Sequence, residues 1–216
     1  MKGPAGWKAP GDLIVLVADG TMRRAIEALL SGYERVGIRP LEVRVFTGNP
    51  PYDSEPFLRC QEYLRPFLNL ASYALVIFDR EGCGSTGSRA EIETEVERRL
   101  AQNGWEKRSA AVVIDPELEA WVWSDSPHVD ATLGRAQRGV QLRAWLGEQG
   151  FLEPGHTKPA RPKEALDAAL RDSNKKRSSS LYLELATKMS FERCTDRAFL
   201  KLKSTLQGWF PPEAHS

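Results

Sequence analysis

Residues 13–30, LIVLVADGTMRRAIEALL, decide the fold. The run LIVLVAD is continuous, apolar and rich in β-branched residues, and it ends in an acid, Asp19. Ile26, Leu29 and Leu30 then recur at helical spacing. A buried strand, a tight turn and a helix are therefore predicted over this stretch.

The same pattern recurs three more times along the chain. The further predicted strands are 41–48 (LEVRVFTG), 74–82 (ALVIFDREG) and 109–115 (SAAVVID). Ser88 with Glu91 forms an S-x-x-E capping box that starts the helix before the last of these strands. Four strands that alternate with helices predict an α/β, Rossmann-like fold with a mainly parallel sheet flanked by helices.

The chain changes character near residue 128, because every periodic segment beyond it has helical spacing. We therefore predict an α/β domain over residues 1–127 and a helical C-terminal subdomain over residues 128–216. Residues 155–210 carry 12 Lys and Arg against 6 Asp and Glu, whereas residues 1–154 carry 18 against 22. The C-terminal part is the more favourable place for an anionic partner.

A basic turn in that part supplies candidates for contact with nucleic acid. Lys175, Lys176 and Arg177 lie together and could contact phosphates, and an exposed basic turn without such a role is equally compatible with the sequence. Three cysteines with no CxxC pair indicate neither a disulfide framework nor a zinc site. The sequence has no signal-peptide run and no membrane-spanning run, so we expect a cytoplasmic protein with no membrane association.

Acidic residues stand at the ends of the predicted strands, where ligands of open parallel sheets bind. Asp19 follows the first strand, and Asp79 and Glu81 follow the third. Asp79 and Glu81 are two residues apart, so in an extended chain both point to one side. Because clustered carboxylates repel one another unless a cation neutralises them, this pair is a candidate Mg²⁺ site.

Each acid also has a simpler interpretation. Asp19 and Asp115 could each cap the helix that follows, and for Asp115, which precedes a possible helix-opening Pro116, capping is favoured. Glu119 shares a helix face with Trp123, so it is either a buried or catalytic acid or a solvated one. The acidic run at 91–97 alternates at spacing two, which predicts a solvated surface.

Three segments carry a resemblance to a known family. They are VADGTMRRAIEALL (17–30), VIFDREG (76–82) and DPELEAWVWSD (115–125). They resemble, in order, the strand with its acid and helix, the DxD strand, and the proline, glutamate, tryptophan and aspartate segment of bacterial Toprim-like proteins, which include RloB-like proteins and the nuclease region of OLD-type proteins. The closing helices are similar as well, so the resemblance covers nearly the whole chain.

The resemblance implies a function and roles for four acids. Asp19 would be a general acid or base, Asp79 and Glu81 would be Mg²⁺ ligands in phosphodiester chemistry, and Glu119 would be a further catalytic acid. The run from Asp115 and the GCGS loop are also similar to accessory proteins of methylation-associated antiphage defence systems. A nuclease-like subunit of such a system, with nucleic acid and defence proteins as partners, is the implied function.

Two departures from the family pattern keep a second hypothesis open. Asp19 stands where the family has a glutamate, and Glu81 stands where it has the second aspartate of the pair. An octahedral Mg²⁺ site tolerates such changes in side-chain length poorly. A catalytically silent subunit that binds partner proteins or nucleic acid is therefore the alternative. A response-regulator receiver is set aside, because it needs an acidic pair at the first site and a lysine after a later strand.

Overall fold

The computed structural model describes residues 11–49, 52–123, 127–135, 139–188 and 194–213. Its centre is a sheet of four parallel strands in the order β2-β1-β3-β4. The strands are β1 (Gly11–Val17), β2 (Val43–Thr47), β3 (Ala71–Asp79) and β4 (Ser109–Ile114). The predicted Rossmann-like α/β fold with a parallel sheet is confirmed.

Helices follow each strand and continue to the end of the described chain. They are α1 (Gly20–Ser31), α2 (Tyr33–Val36), α3 (Glu55–Leu64), α4 (Arg89–Leu100), α5 (Glu119–Val122), α6 (Pro127–Thr132), α7 (Leu142–Glu148), α8 (Pro162–Asp172), α9 (Ser179–Lys188) and α10 (Arg197–Trp209). The predicted capping box at Ser88 and Glu91 is present at the start of α4. Among the described helices, none combines the length and the apolar character that crossing a membrane requires.

The two middle strands form the centre of the core. Residues 13–17 of β1 and 74–78 of β3 are all buried, as continuous apolar runs of a parallel sheet covered on both faces require. Val15 pairs with Val45 of β2 on one side and with Leu75 of β3 on the other. The crossover from β1 to β2 runs opposite to the crossover from β2 to β3, so right-handed connections put α1 and α3 on opposite faces.

In the described part of the chain, the outer edge of β4 is closed by side chains rather than by another strand. The backbone N–H of Val113 donates to Glu93 Oε1 at 3.0 Å, and that of Ala111 donates to Glu97 Oε1 at 3.0 Å. Lys201 on α10 donates to both glutamates. Glu93 is 5% exposed, so the prediction that the whole acidic run of α4 is solvated is wrong for this residue.

Helices beyond residue 127 pack closely on the sheet part of the molecule. Helix α9 packs on α1, and α10 packs on β4 and ends with Trp209 stacked on Tyr73 of β3, their ring centroids 4.6 Å apart. Helix α5 joins the two parts, because the indole N–H of Trp121 donates to Asp196 at the start of α10 and that of Trp123 donates to the carbonyl of Pro162. The division at residue 127 stays a prediction.

The segment after β4 differs from its prediction. Helix α5 begins at Glu119, not at Pro116, and its N-cap residue, Leu118, supplies no side-chain hydrogen bond. Asp115 therefore does not cap this helix, and its carboxylate faces Arg80 Nη1 at 3.4 Å instead. The three residues between Asp115 and the helix let Glu117 turn toward the carboxyl edge of the sheet.

Candidate functional site

The strand order itself marks a place for a ligand. From β1 the chain connects to β2 on one side, and from β2 it crosses back to β3 on the other side of β1. The gap between β1 and β3 is therefore the topological switch point of the sheet. Asp19 follows β1, and Asp79 is the last residue of β3. Both acids line one cavity of about 340 Å³ at this edge, so the structure brings these two predicted residues together.

Asp19 is fixed by the helix that it begins. It is the N-cap of α1, and its Oδ1 accepts the backbone N–H of Met22 at 2.7 Å. The capping interpretation therefore holds for Asp19. The same side chain also lines the cavity, so capping positions the carboxylate there rather than excluding a functional role.

Asp79 is the least satisfied acid of the cavity. Its Oδ1 is buried and has no hydrogen-bond partner among the described residues. Burial raises the pKa of this carboxyl well above its usual value, and the negative charges of Glu119, Asp19 and Glu117 raise it further. A carboxylate in this environment needs either a proton or a cation.

Glu117 reaches the cavity from the turn between β4 and α5. Its Oε1 accepts the backbone N–H of Lys163 near the start of α8 at 3.0 Å, and its Oε2 lies 3.9 Å from Lys163 Nζ. Burial raises the pKa of Glu117, Glu119 raises it further, and the charge of Lys163 lowers it. From the sequence, Glu117 is one of the acids that follow the fourth strand, and a functional role is less favoured for it than for Glu119.

Glu119 is the most firmly held acid of the site. It is buried at the first position of α5, and its Oε1 accepts hydrogen bonds from Arg177 Nη1 at 2.8 Å and from the hydroxyl of Tyr182 at 2.5 Å. Burial, together with the charge of Glu119, raises the pKa of Tyr182, which keeps its hydroxyl a donor. Both donors come from the helical part of the chain after residue 172.

A second cavity of about 480 Å³ adjoins the first, and Asp79 and Glu117 line both. Glu81 lines only this second cavity and is exposed, so the structure places it beside Asp79 but not in the cavity that Asp19 lines. Gly82 follows with φ +78°, a backbone conformation that turns the chain away beyond the acid pair.

Asp53 is a site residue that the sequence reasoning missed. It lies in the loop after β2 and lines both cavities. The same rule that selected Asp19 and Asp79, an acid beyond the carboxyl end of a strand, applies to β2. The signal was weak because five residues separate Asp53 from the end of that strand, which is Thr47.

The basic run in the helical part divides between three environments. Lys175 Nζ donates to the carbonyl of Thr132 at 2.7 Å, and Lys176 is exposed. Arg177 turns into the first cavity. Of the three predicted contacts with nucleic acid, Lys176 alone faces solvent without a role in holding the described fold together.

The acids of the two cavities fit a hard cation in chemistry but do not form a ready-made cage. Carboxylate oxygens are the ligands that Mg²⁺ prefers, and the unpartnered Oδ1 of Asp79 is one such oxygen. Within the described ranges, no three acid, histidine or cysteine side chains are arranged so that they could hold a metal ion together. Glu117 and Glu119 instead face Lys163 and Arg177.

Comparison of the chain with protein-family models, with curated proteins and with solved structures finds no match.

Proposed function

We propose that this chain is a Mg²⁺-dependent phosphodiesterase, a nuclease or nucleic-acid-processing subunit, with its reactive centre between the carboxyl ends of β1 and β3. The observation that carries the proposal is the buried, unpartnered Oδ1 of Asp79 in a cavity that Asp19, Glu117 and Glu119 also line. Repulsion among these carboxylates destabilises the fold unless a positive charge joins them, and proteins retain such clusters at functional sites.

Asp79 would hold the ion through its unpartnered Oδ1, with Glu81 supplying a further oxygen from the second cavity and water molecules completing the ligand set, as is usual for Mg²⁺. A bound Mg²⁺ would polarise a phosphoryl oxygen and lower the pKa of a water. Asp19 is held by its cap hydrogen bond, so it can accept or return a proton without changing position.

Positive groups at the mouth of the cleft favour an anionic substrate. Lys163 lines both cavities, and its side chain is 57% exposed. Arg161 also lines the second cavity. Both residues belong to the part of the chain with the basic excess, which attracts phosphates over a distance comparable with the Debye length. Nucleic acid is the substrate class that we propose, in an antiphage defence system as the resemblance implies.

A catalytically silent subunit of the same kind of system is the second candidate. The observation that favours it is the pairing of Glu117 and Glu119 with Lys163 and Arg177, which neutralises two of the five acids of the first cavity without any metal. Such a protein would keep the acids as part of its fold and would bind partner proteins or nucleic acid through other surfaces.

Thermal melting with and without Mg²⁺, alongside cleavage assays on single- and double-stranded DNA and RNA, tests the proposal. Mg²⁺ should stabilise the wild type by about 1.4 kcal/mol at tenfold its Kd. Asp79→Asn should lose both this stabilisation and the cleavage, because an amide supplies an oxygen but no charge. Asp115→Asn is the matched control, since Asp115 directly follows β4 at the same edge of the sheet but lines neither cavity, and it should behave as the wild type does.

The assays are repeated with the proteins that neighbouring genes encode. A wild type that shows neither a Mg²⁺-dependent shift nor cleavage under any of these conditions overturns the enzyme and supports the silent subunit.

A further inference from the structure

Arg177 occupies an unusual position for a residue of a basic surface run. Its Nη1 donates to Glu119, its Nε donates to Asp167 Oδ1 at 3.0 Å, and its Nη2 donates to the carbonyl of Lys163 at 3.4 Å. The guanidinium is therefore held from three directions, by α5, by the middle of α8 and by the start of α8. A side chain held in this way is not available to follow a flexible phosphate backbone.

The charge of Arg177 acts on the acid cavity as a whole. Arg177 lines the same cavity as Asp79, whose Oδ1 is buried and accepts no hydrogen bond from the described residues. Glu119, the partner of Arg177, is also the acid that acts most strongly on Asp79. A cation that entered the cavity would therefore meet one carboxylate that already has a positive partner.

We propose that Arg177 is a built-in counter-ion of the acid cavity, a positioning residue that fixes Glu119 and sets how tightly the site binds a divalent cation. This inference rests on the proposed cation site. Like charges in one water-poor cavity repel, so a guanidinium fixed in the cavity that Asp79 lines weakens the binding of a dication there. In return it stabilises the cation-free protein, because it neutralises a buried carboxylate.

The helical part of the chain thereby controls the sheet edge. Asp167 shares Arg177 with Glu119, and its side chain is 44% exposed. Asp167 partly neutralises Arg177, so removing the charge of Asp167 should make the electrostatic potential in the cavity more positive. The cation affinity then depends on α8 and on the turn before α9, not only on the acids themselves.

Calorimetric titration of the full chain with Mg²⁺ alone tests this role. Arg177→Gln keeps a donor for Glu119 but removes the charge, and it should tighten Mg²⁺ binding roughly tenfold or more. Lys176→Gln is the matched control, because it removes the same charge one residue away at an exposed position, and its affinity should stay within roughly twofold of the wild type. Arg177→Lys retains the charge and should bind Mg²⁺ much as the wild type does.

A wild type that binds Mg²⁺ while Arg177→Gln binds no more tightly than Lys176→Gln overturns the counter-ion role and leaves the cation site standing. Absence of binding by the wild type and by Arg177→Gln alike overturns the cation site itself. Should Arg177→Gln fail to fold, Asp167→Asn gives the answer: it leaves the charge of Arg177 less balanced and should weaken Mg²⁺ binding a few-fold. Unchanged or tighter binding by Asp167→Asn contradicts the proposal.

Discussion

Two acids of this protein, the buried Glu93 and the half-buried Asp79, lie in opposite environments. Glu93 accepts hydrogen bonds from Arg89, from Lys201 and from the backbone N–H of Val113. One carboxylate oxygen of Asp79, Oδ1, is buried without a hydrogen-bond partner among the described residues, and four other acids line its cavity. Both are near the sheet, one beside an edge strand and the other at a strand end.

The ionised form of Glu93 therefore stabilises the folded state, whereas the ionised form of Asp79 destabilises it. Removal of a well-paired buried charge leaves its partners unpaired, so the fold loses stability. Removal of an acid among other acids relieves repulsion, so the fold gains or keeps stability. Substitutions at the two sites should therefore have opposite signs, and this contrast can be measured.

The largest effect is expected at Glu93. Glu93→Ala leaves the Val113 N–H and two cations without their shared acceptor, and it should lower the free energy of unfolding by about 3 kcal/mol or more. Denaturant unfolding followed by circular dichroism measures the change. Glu27→Ala on α1 is the control, because Glu27 pairs with Arg23 at the surface, where the two side chains are 43% and 51% exposed, and a much smaller loss is expected there. Equal losses for the two variants would mean that the hydrogen bonds of Glu93 at the edge of β4 contribute no more to stability than a surface ion pair does.

The second effect is a pH dependence at Asp79. The pKa of Asp79 is raised in the folded protein, so the folded state binds more protons than the unfolded state between the ordinary carboxyl pKa of 3.8 and the raised value. The free energy of unfolding of the metal-free protein should therefore fall as the pH rises through this window, by up to about 1.4 kcal/mol per pH unit. Asp79→Asn should remove this fall, since an amide does not titrate.

Melting temperatures of both proteins in chelator across about pH 5 to 8 give the comparison. At the upper end of that range Asp79→Asn should melt at the same temperature as the wild type or higher. A variant that melts well below the wild type throughout would show that Asp79 is satisfied in solution, which would remove the contrast with Glu93.

Glu119 is intermediate in its surroundings, because it has two hydrogen-bond donors but lies among other acids. Removing one of its donors should give the smallest of the three changes in stability. Tyr182→Phe removes the hydroxyl that donates to Glu119 but leaves Arg177 in place, and it should lower the free energy of unfolding by about 1 kcal/mol. Thermal melting detects this change, with Tyr52→Phe as the control because Tyr52 is an exposed side chain. A loss as large as that of Glu93→Ala would place Glu119 among the acids that serve the fold.

The fold was predictable because its signals are local and repeated. Strands β1, β3 and β4 are short apolar runs that a sheet covered on both faces can bury, and the longer helices α1, α3 and α8 have a periodic apolar face. The error after β4 has a local cause as well. Pro116 suits the first position of a helix, but the chain uses the next three residues to direct Glu117 and Leu118 before α5 begins at Glu119.

Of the site, only the residues that lie at the ends of strands could be predicted from the sequence. Asp19 and Asp79 follow from the rule that ligands bind beyond the carboxyl ends of parallel strands. The inward turn of Arg177 and the burial of Glu93 depend on contacts over 58 and 108 positions of sequence, respectively. Spacing within one segment carries no information about such distant partners, so a basic turn and an acidic helix both predicted solvated surfaces.

The closed edge of β4 has a consequence for how the protein is made. Glu93 and Glu97 are synthesised before Lys201, so early in translation they carry negative charge that, among their described cationic partners, Arg89 alone offsets. The nascent sheet is therefore protected from joining the strands of another chain by charge repulsion first and by a neutral, helix-covered edge later. Aggregation of half-made chains is opposed at each stage by the same two glutamates.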